Sequence, residues 1–471
     1  MPGYDLETDV IVIGSGFAGL AAAIEAAEAG CRVIVLEKMG SAGGNSRISH
    51  GGIAAPGTDY QEQRGISDSP GQMYEDMLAA GEGLNYPELV KTVTENAKEA
   101  FYWARDYLGV KFLNRVDLFG GHSIARSYTP VSISGKDLIE KQLARLKKLK
   151  VPVYLQVYVE SLITTPDKNR VTGVKTIFNH RFSKGNNRSD QDAGQKTNCF
   201  ARKAVIVSSG GFSSDIAFRA AQDPRLDENL QSTNMRFATA EIIKETLNIG
   251  ANPVQLSRIQ LAPSTSPDEK GFGTGPMFGE YVAIPLGMLV DPKTGERFVN
   301  ELGDRKMLSE AMLALGHPAI GIADEKAVTR AGWDLTRALN KEVVRCFDTS
   351  GELAAHYKME KNKFEATMKR FNEMIELKED RDFCKPVQKD AVPLVHPPFY
   401  AMRMWPKVHY TMGGIQVDTS TRVIHRDQGP IEGLFAAGEA TAGVHGACRL
   451  GSCAITECLV MGRIAGKNAA G

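Results

Sequence analysis

Gly14-Ser15-Gly16-Phe17-Ala18-Gly19 and, 18 positions further on, Glu37 have the residue types and spacing of a dinucleotide cradle. In such a turn Gly14 permits the tight reversal and Gly16 lets the backbone approach a pyrophosphate. Gly19 lets the following helix pack closely on the preceding strand. The unpaired N–H groups of that helix face the phosphates, and Glu37 accepts hydrogen bonds from a ribose. A bare G-x-G-x-x-G is weak evidence, but here an apolar run, a helix and a distal acid agree with it. A second Gly-rich run, Gly43-Gly44-Asn45-Ser46 with Gly51-Gly52, is not needed for a nicotinamide cofactor. It suits an extended FAD, bound where only glycine lets the backbone pass close to the isoalloxazine. The plain alternative is two consecutive turns.

These residues need a scaffold, and the apolar patterning supplies one. Residues 10–13 read as a buried strand, 20–29 as a helix stopped by Gly30, and 32–36 as the next strand. This is a βαβ opening suited to a parallel sheet covered on both faces. Helices are expected over 71–80, 88–108 and 135–149, and strands over 151–159, 170–179 and 204–208. The polar stretch 183–198 reads as an exposed hairpin loop; the glycosylation match Asn187-Arg188-Ser189 within it carries no weight. From 256 to 404 charged helical stretches such as 336–345 and 361–377 alternate with Pro-bearing loops, and after His409 the Gly-rich texture returns. The expected fold is α/β: a Rossmann-like FAD-binding domain (1–255 and 405–471) with an inserted α+β capping domain (256–404).

Composition excludes several function classes. Lys plus Arg and Asp plus Glu both number 56 in 471 residues, so no charge excess marks a nucleic-acid or anionic-membrane surface. Seven thinly spread cysteines argue against a disulfide framework; none has c-type haem or zinc spacing, and no metal is expected. The apolar stretch 10–29 is interrupted by Glu25 and Glu28 and reads neither as a signal nor as a membrane span. The expectation is a soluble protein, cytoplasmic as written, or periplasmic if a leader has been trimmed.

Further motifs complete a pattern: Val207-Ser208-Ser209-Gly210-Gly211-Phe212, Gly295-Glu296-Arg297-Phe298-Val299-Asn300-Glu301, and His409-Tyr410-Thr411-Met412-Gly413-Gly414. Leu434-Phe435-Ala436-Ala437-Gly438-Glu439 and Gly443-Val444-His445-Gly446-Ala447-Cys448-Arg449-Leu450-Gly451 follow. In order and spacing, over nearly the whole chain, these motifs resemble the flavoproteins of fumarate reductases and succinate dehydrogenases, especially the soluble fumarate-reductase-like branch. The resemblance implies reduction of a C=C bond beside a carboxylate, with hydride from flavin N5 and a proton delivered to the neighbouring carbon. It implies His409 and Arg449 as carboxylate clamp, Arg305 as proton donor and Glu280 as its relay, with Gly210, Gly211 and Glu439 joining the cofactor contacts. Asn45 stands where membrane-bound relatives carry the flavin-linking His, so a non-covalent, dissociable FAD is expected. Taken singly, His409 could be a satisfied core histidine and Arg449 the partner of Glu439 or Glu457. Arg305 could be a solvated charge at a helix start. Cys448 and Cys453 flank Arg449 and are assigned no redox role.

The chain departs from that pattern at specific places. The family's His-Pro-Thr triplet, whose His grips the second carboxylate, reads Ala262-Pro263-Ser264. The Thr before the relay Glu is Gly279, a relay Arg is Ala283, and the Thr-Gly-Asp-Gly turn is Thr239-Ala240-Glu241-Ile242. An unpaired, desolvated second carboxylate would cost about 2–5 kcal/mol. A substrate with one carboxylate is therefore expected, such as an acrylate-, methacrylate-, cinnamate- or urocanate-like acid, unless Arg258 swings in. The rivals are a ketosteroid-dehydrogenase-like enzyme using Tyr410 or Tyr281, and an FAD-binding electron carrier without substrate. The electron donor is expected to be a separate cytochrome or reductase.

Overall fold

A computed structural model describes residues 6–167, 169–181, 194–387 and 391–471. The chain divides into two compact units, one of Met1–Asp227, Met235–Ile259 and Tyr410–Gly471, the other of Glu228–Asn234 and Gln260–His409. Where the sequence suggests boundaries at 256 and 404, the division falls at 260 and 409. The short segment Glu228–Asn234 joins the second unit.

In the first unit β1 (Leu6–Ile13), α1 (Phe17–Glu28) and β2 (Val33–Glu37) form the βαβ opening, with β1 and β2 parallel and Val10 opposite Val33. Consecutive residues Val10, Ile11 and Val12 are all fully buried, as a strand covered on both faces requires. Helix α1 is apolar nearly all round because the C-terminal helix Cys453–Ala470 packs on it. Side chains at Gly462 or Gly466 would collide with the backbone of Ala18 or Ala22. The sheet runs Arg422–His425, Gly429–Ala436, Gln195–Val207, β1, β2, Val153–Leu155; along this path the outermost pair, Arg422–His425 with Gly429–Ala436, is antiparallel, and off it Val171–Phe178 pairs antiparallel with Gln195–Val207.

Several expected elements change shape. The strand expected over 151–159 breaks at Gln156, whose φ of +57° turns the chain away from β2. Val157–Thr164 then pairs with Val171–Phe178 in an antiparallel meander. The strand expected at 204–208 begins at Gln195, so the end of the predicted 183–198 loop is strand. Residues 183–193 of that loop, with the Asn187 motif, lie outside the described residues. The helix expected over 88–108 is Pro87–Tyr102 followed by a π-helical turn, Trp103–Tyr107, whose first and last rings stack.

The second unit is α+β. Its antiparallel sheet runs Glu296–Arg297, Met288–Asp291, Ala319–Asp324, Phe399–Met404, Arg345–Phe347, with helices including Arg305–Leu315 and Lys361–Leu377. The helix expected over 336–345 stops at Asn340; Glu342 takes a φ of +54° and Arg345 opens an edge strand. The motif 295–301 folds into a buried ionic cluster. Arg297 bridges Glu301 (2.7 Å) and Asp380 (2.9 Å), and Lys385 stands 3.5 Å from Glu301 while donating to the Ile284 and Gly287 carbonyls.

Candidate functional site

In the first unit, Gly14, Gly16, Glu37, Gly43, Gly44, Asn45, Ser46, Gly210, Gly211 and Glu439 line one pocket. The remaining predicted cofactor residues, Gly19, Gly51 and Gly52, do not line it. A side chain on Gly19 would overlap the Gly14 carbonyl, which is how helix and strand come close. Gly51 packs on Pro130 and the Ser134–Gly135 backbone, and Gly52 on Ser452. Gly210 has open space beside it, and its φ of +80° is the left-handed conformation that favours glycine.

The pocket is built to take an anion and a hydroxylated chain. Helix α1 begins at the pocket wall with no cap from Gly16 and no acid in its first turn, the Phe17 N–H donating to Ser46 Oγ at 3.1 Å. Glu37 is held rigidly, accepting from the Ser15 N–H (3.1 Å), the Ser15 hydroxyl and the Met39 N–H (2.9 Å). The Ser15 hydroxyl in turn accepts from Gly43 N–H at 2.9 Å, tying the two glycine runs together. Ser209, on the wall, has a buried hydroxyl without a hydrogen-bond partner among the described residues. These features fit FAD: Gly14–Gly19 and Glu37 would hold its pyrophosphate and ribose, and Gly43–Ser46, Gly210, Gly211 and Glu439 its remaining length. Asn45 accepts from the Met235 N–H at 2.9 Å. Glu439 accepts from the Thr411 N–H at 3.0 Å, yet burial pushes its pKa up to about 7. In the departed turn, Lys38 donates to Thr239 at 2.9 Å and pairs with Glu241 at 3.4 Å.

Arg449, also in the first unit, is 4% exposed, so it is no surface partner of a solvated acid. Its Nη1 donates to the Leu450 carbonyl at 3.0 Å, and its guanidinium lies 5.0 Å from the centre of the Tyr410 ring. The Tyr410 hydroxyl donates to Glu457 (2.9 Å), which also pairs with His445 Nε2 (2.8 Å). Burial raises the Tyr410 pKa far above its ordinary value. A hydroxyl committed to a buried carboxylate is poorly available to polarise a ketone. Arg258 is exposed on its loop.

In the second unit, His409 Nδ1 and the Thr233 hydroxyl are 2.8 Å apart, the Asn234 side chain donates to the His409 carbonyl (2.7 Å), and Phe272 stacks on the ring. Thr233 and Asn234 carry no motif, and nothing in the sequence singles them out as supports for a histidine 176 positions away. Arg305 opens the helix Arg305–Leu315, capped by Asp304, whose side chain accepts from Met307 N–H. It is not a solvated charge: its side chain is 18% exposed and ion-paired with Glu280. Glu280 sits on a π-helical turn, Gly279–Ala283, a widening that recurs at functional sites. Arg305 Nη1 is buried with no hydrogen-bond partner among the described residues.

The departures at 262–264, 279 and 283 lie in this unit, and those at 279 and 283 have steric reasons. A β-carbon on Gly279 would lie 2.5 Å from the Ser264 carbonyl oxygen and 3.1 Å from Met402 Cε. Ala262 and Ser264 are buried. Ala283 is buried beneath the strand Ala319–Asp324, where a β-carbon on Gly321 would approach it to 3.1 Å; no arginine fits there unchanged. Tyr281 packs its ring against Trp333 at 4.5 Å.

Comparison with known proteins agrees with this geometry. Residues 9–455 match the family described as an FAD binding domain. The chain is 37% identical, over 98% of its length and 91% of the relative's, to an acrylate reductase flavoprotein subunit of Shewanella woodyi. A flavocytochrome c3 fumarate reductase in its open conformation superposes with a TM-score of 0.76 at 28% identity, covering 99% of this chain and 78% of that one. A 3-ketosteroid-Δ4-(5α)-dehydrogenase from Rhodococcus jostii RHA1 reaches the same TM-score at 24% identity, over 100% and 98% of the two chains, a likeness of fold alone. Among the described residues no helix is long and apolar enough to cross a membrane. The chain belongs to the FAD-binding family of fumarate-reductase-type flavoproteins, FAD-dependent oxidoreductases acting on CH–CH bonds.

Proposed function

We propose that this chain reduces the C=C bond of an α,β-unsaturated acid carrying one carboxylate, acrylate-like in its charged end. When bound, FAD supplies the hydride. Arg449 and His409 hold the carboxylate; the planar guanidinium suits its two oxygens, and the added positive charge draws electron density from the double bond. Arg305 holds the proton delivered to the neighbouring carbon, and Glu280, after taking up a proton from solvent, passes it to Arg305. A free guanidinium is a very weak acid, with a pKa above about 12. Transfer from it requires a strongly basic carbon and a carboxylate poised to restore the lost proton. The observation that carries the reading is the Arg305–Glu280 ion pair, which joins a helix start to a π-helical turn and leaves Nη1 uncommitted.

The substrate class rests on the departures at 262 and 279. Backbone and Met402 fill the room that a threonine at 279 would need, and position 262 offers a methyl group. A second carboxylate would find neither the threonine nor the histidine of the family's pattern, and a neutral end would lose nothing. The electrons come from a separate cytochrome or reductase.

The test is Arg305→Ala, assayed anaerobically with reduced viologen and acrylate. Turnover should fall by about 10²–10⁴-fold, with FAD content and reduction of the flavin by dithionite unchanged. Full activity in that variant would remove Arg305 from the reaction; inactive wild-type protein with normal flavin reduction would favour an electron carrier.

A further inference from the structure

We propose that His122 is a positioning residue for Arg449, fixing the backbone just beyond it through a hydrogen bond to Gly451. The proposal rests on the reading of Arg449 as the carboxylate clamp, and all of its parts lie in the first unit.

Arg126 is fully buried. It binds Asp68 with two parallel bonds, Nε to Oδ2 at 2.8 Å and Nη2 to Oδ1 at 2.9 Å, and donates through Nη1 to Asp76 Oδ2 at 2.5 Å. Its Nη1 also meets His122 Nδ1 at 3.0 Å. A guanidinium only donates, so His122 Nδ1 must be the acceptor and the ring proton must sit on Nε2. That Nε2 lies 2.9 Å from the Gly451 carbonyl oxygen, to which it therefore donates. The tautomer follows from the neighbours rather than from the ring itself. Burial and the adjacent Arg126 push the His122 pKa down to about 4, which keeps the imidazole neutral.

Leu450 alone separates Gly451 from Arg449, and its carbonyl accepts from Arg449 Nη1. The hydrogen bond from His122 thus holds the peptide next to the one that orients the guanidinium. Phe119 closes the same loop from the side, since a β-carbon on Gly451 would lie 2.9 Å from its ring and Cβ. Across the guanidinium, the Tyr410 ring is fixed by its bond to Glu457. Two carboxylate-anchored props, one through His122 and one through Tyr410, therefore bear on Arg449. A fully satisfied buried polar network specifies position well, and a clamp needs its supports as rigid as itself.

The test compares two nearly isosteric replacements. In His122→Gln the amide Nε2 takes the place of the imidazole Nε2 and still donates to Gly451. In His122→Glu the carboxylate pairs with Arg126 but presents an acceptor to the carbonyl. FAD content, unfolding midpoint and anaerobic viologen-coupled kinetics with acrylate are measured for both, with Arg449→Ala as reference. His122→Glu should raise KM for acrylate at least tenfold with kcat within threefold of wild type, and His122→Gln should stay within threefold in both. The Kd for propionate, read from the flavin difference spectrum, should rise in parallel with KM. Unchanged KM and Kd in His122→Glu, alongside an inactive Arg449→Ala, overturns the inference and leaves the clamp standing. Wild-type behaviour in Arg449→Ala overturns the clamp, and the inference with it. If His122→Glu loses FAD or does not fold, a tenfold weaker Kd in His122→Gln also overturns it, because the donor is retained there.

Discussion

Gly279 approaches the Ser264 carbonyl so closely that a β-carbon would lie 2.5 Å from that oxygen. The departure at 279 is therefore packed directly against the backbone of the 262–264 triplet.

Gly279→Thr should for that reason fail to create a second-carboxylate site. Overpacking of this kind costs about 1–3 kcal/mol. Differential scanning calorimetry should show a lower unfolding midpoint, and kcat/KM for fumarate should not rise.

Glu301→Gln should destabilise the second unit more severely. Glu301 is buried between Arg297 and Lys385, and breaking a buried ion pair typically costs about 3–5 kcal/mol. Chemical denaturation should reveal the loss, while FAD binding, which depends on the first unit, should persist.

The cofactor should dissociate. Asn45 offers no nucleophilic ring nitrogen, and its amide oxygen is occupied by the Met235 N–H. Acid precipitation should leave a colourless pellet and yellow supernatant; a yellow pellet would indicate a covalent link elsewhere.

Stability of the apoprotein should depend on pH through two groups of opposite sign. Glu439 titrates near 7 when folded against an ordinary 4.5. The unfolded chain loses this proton first, so its contribution is full below pH 4.5 and declines as pH rises toward 7. His122 titrates near 4 against an ordinary 6.5, so its contribution is full above pH 6.5 and lost as pH falls toward 4. The wild-type advantage over Glu439→Gln should shrink with rising pH across the first window. The stability difference between wild type and His122→Gln should move the other way across the second.

The residues that line the first unit's pocket were legible in the sequence through motif spacing. The spacing of Gly14, Gly16 and Gly19 is read directly from the chain, with Glu37 closing the next strand, although the atoms that exclude side chains there include the distant Ser208 and Ser46. The motif 295–301 was visible, but its meaning was not, since Arg297 and Glu301 acquire Asp380 and Lys385 only through folding. The same holds for Thr233 beneath His409 and for His122 behind Gly451: single long-range polar contacts leave no periodicity to read. The π-helical turn under Glu280 was invisible for a related reason, since a helix with one widened turn keeps an ordinary helical composition.

The most direct test of a substrate gripped at one charged end is kcat/KM for acrylate and fumarate, measured anaerobically with reduced viologen on the FAD-loaded protein. Acrylate should exceed fumarate by at least tenfold; equal values, or reduction of fumarate alone, would contradict it.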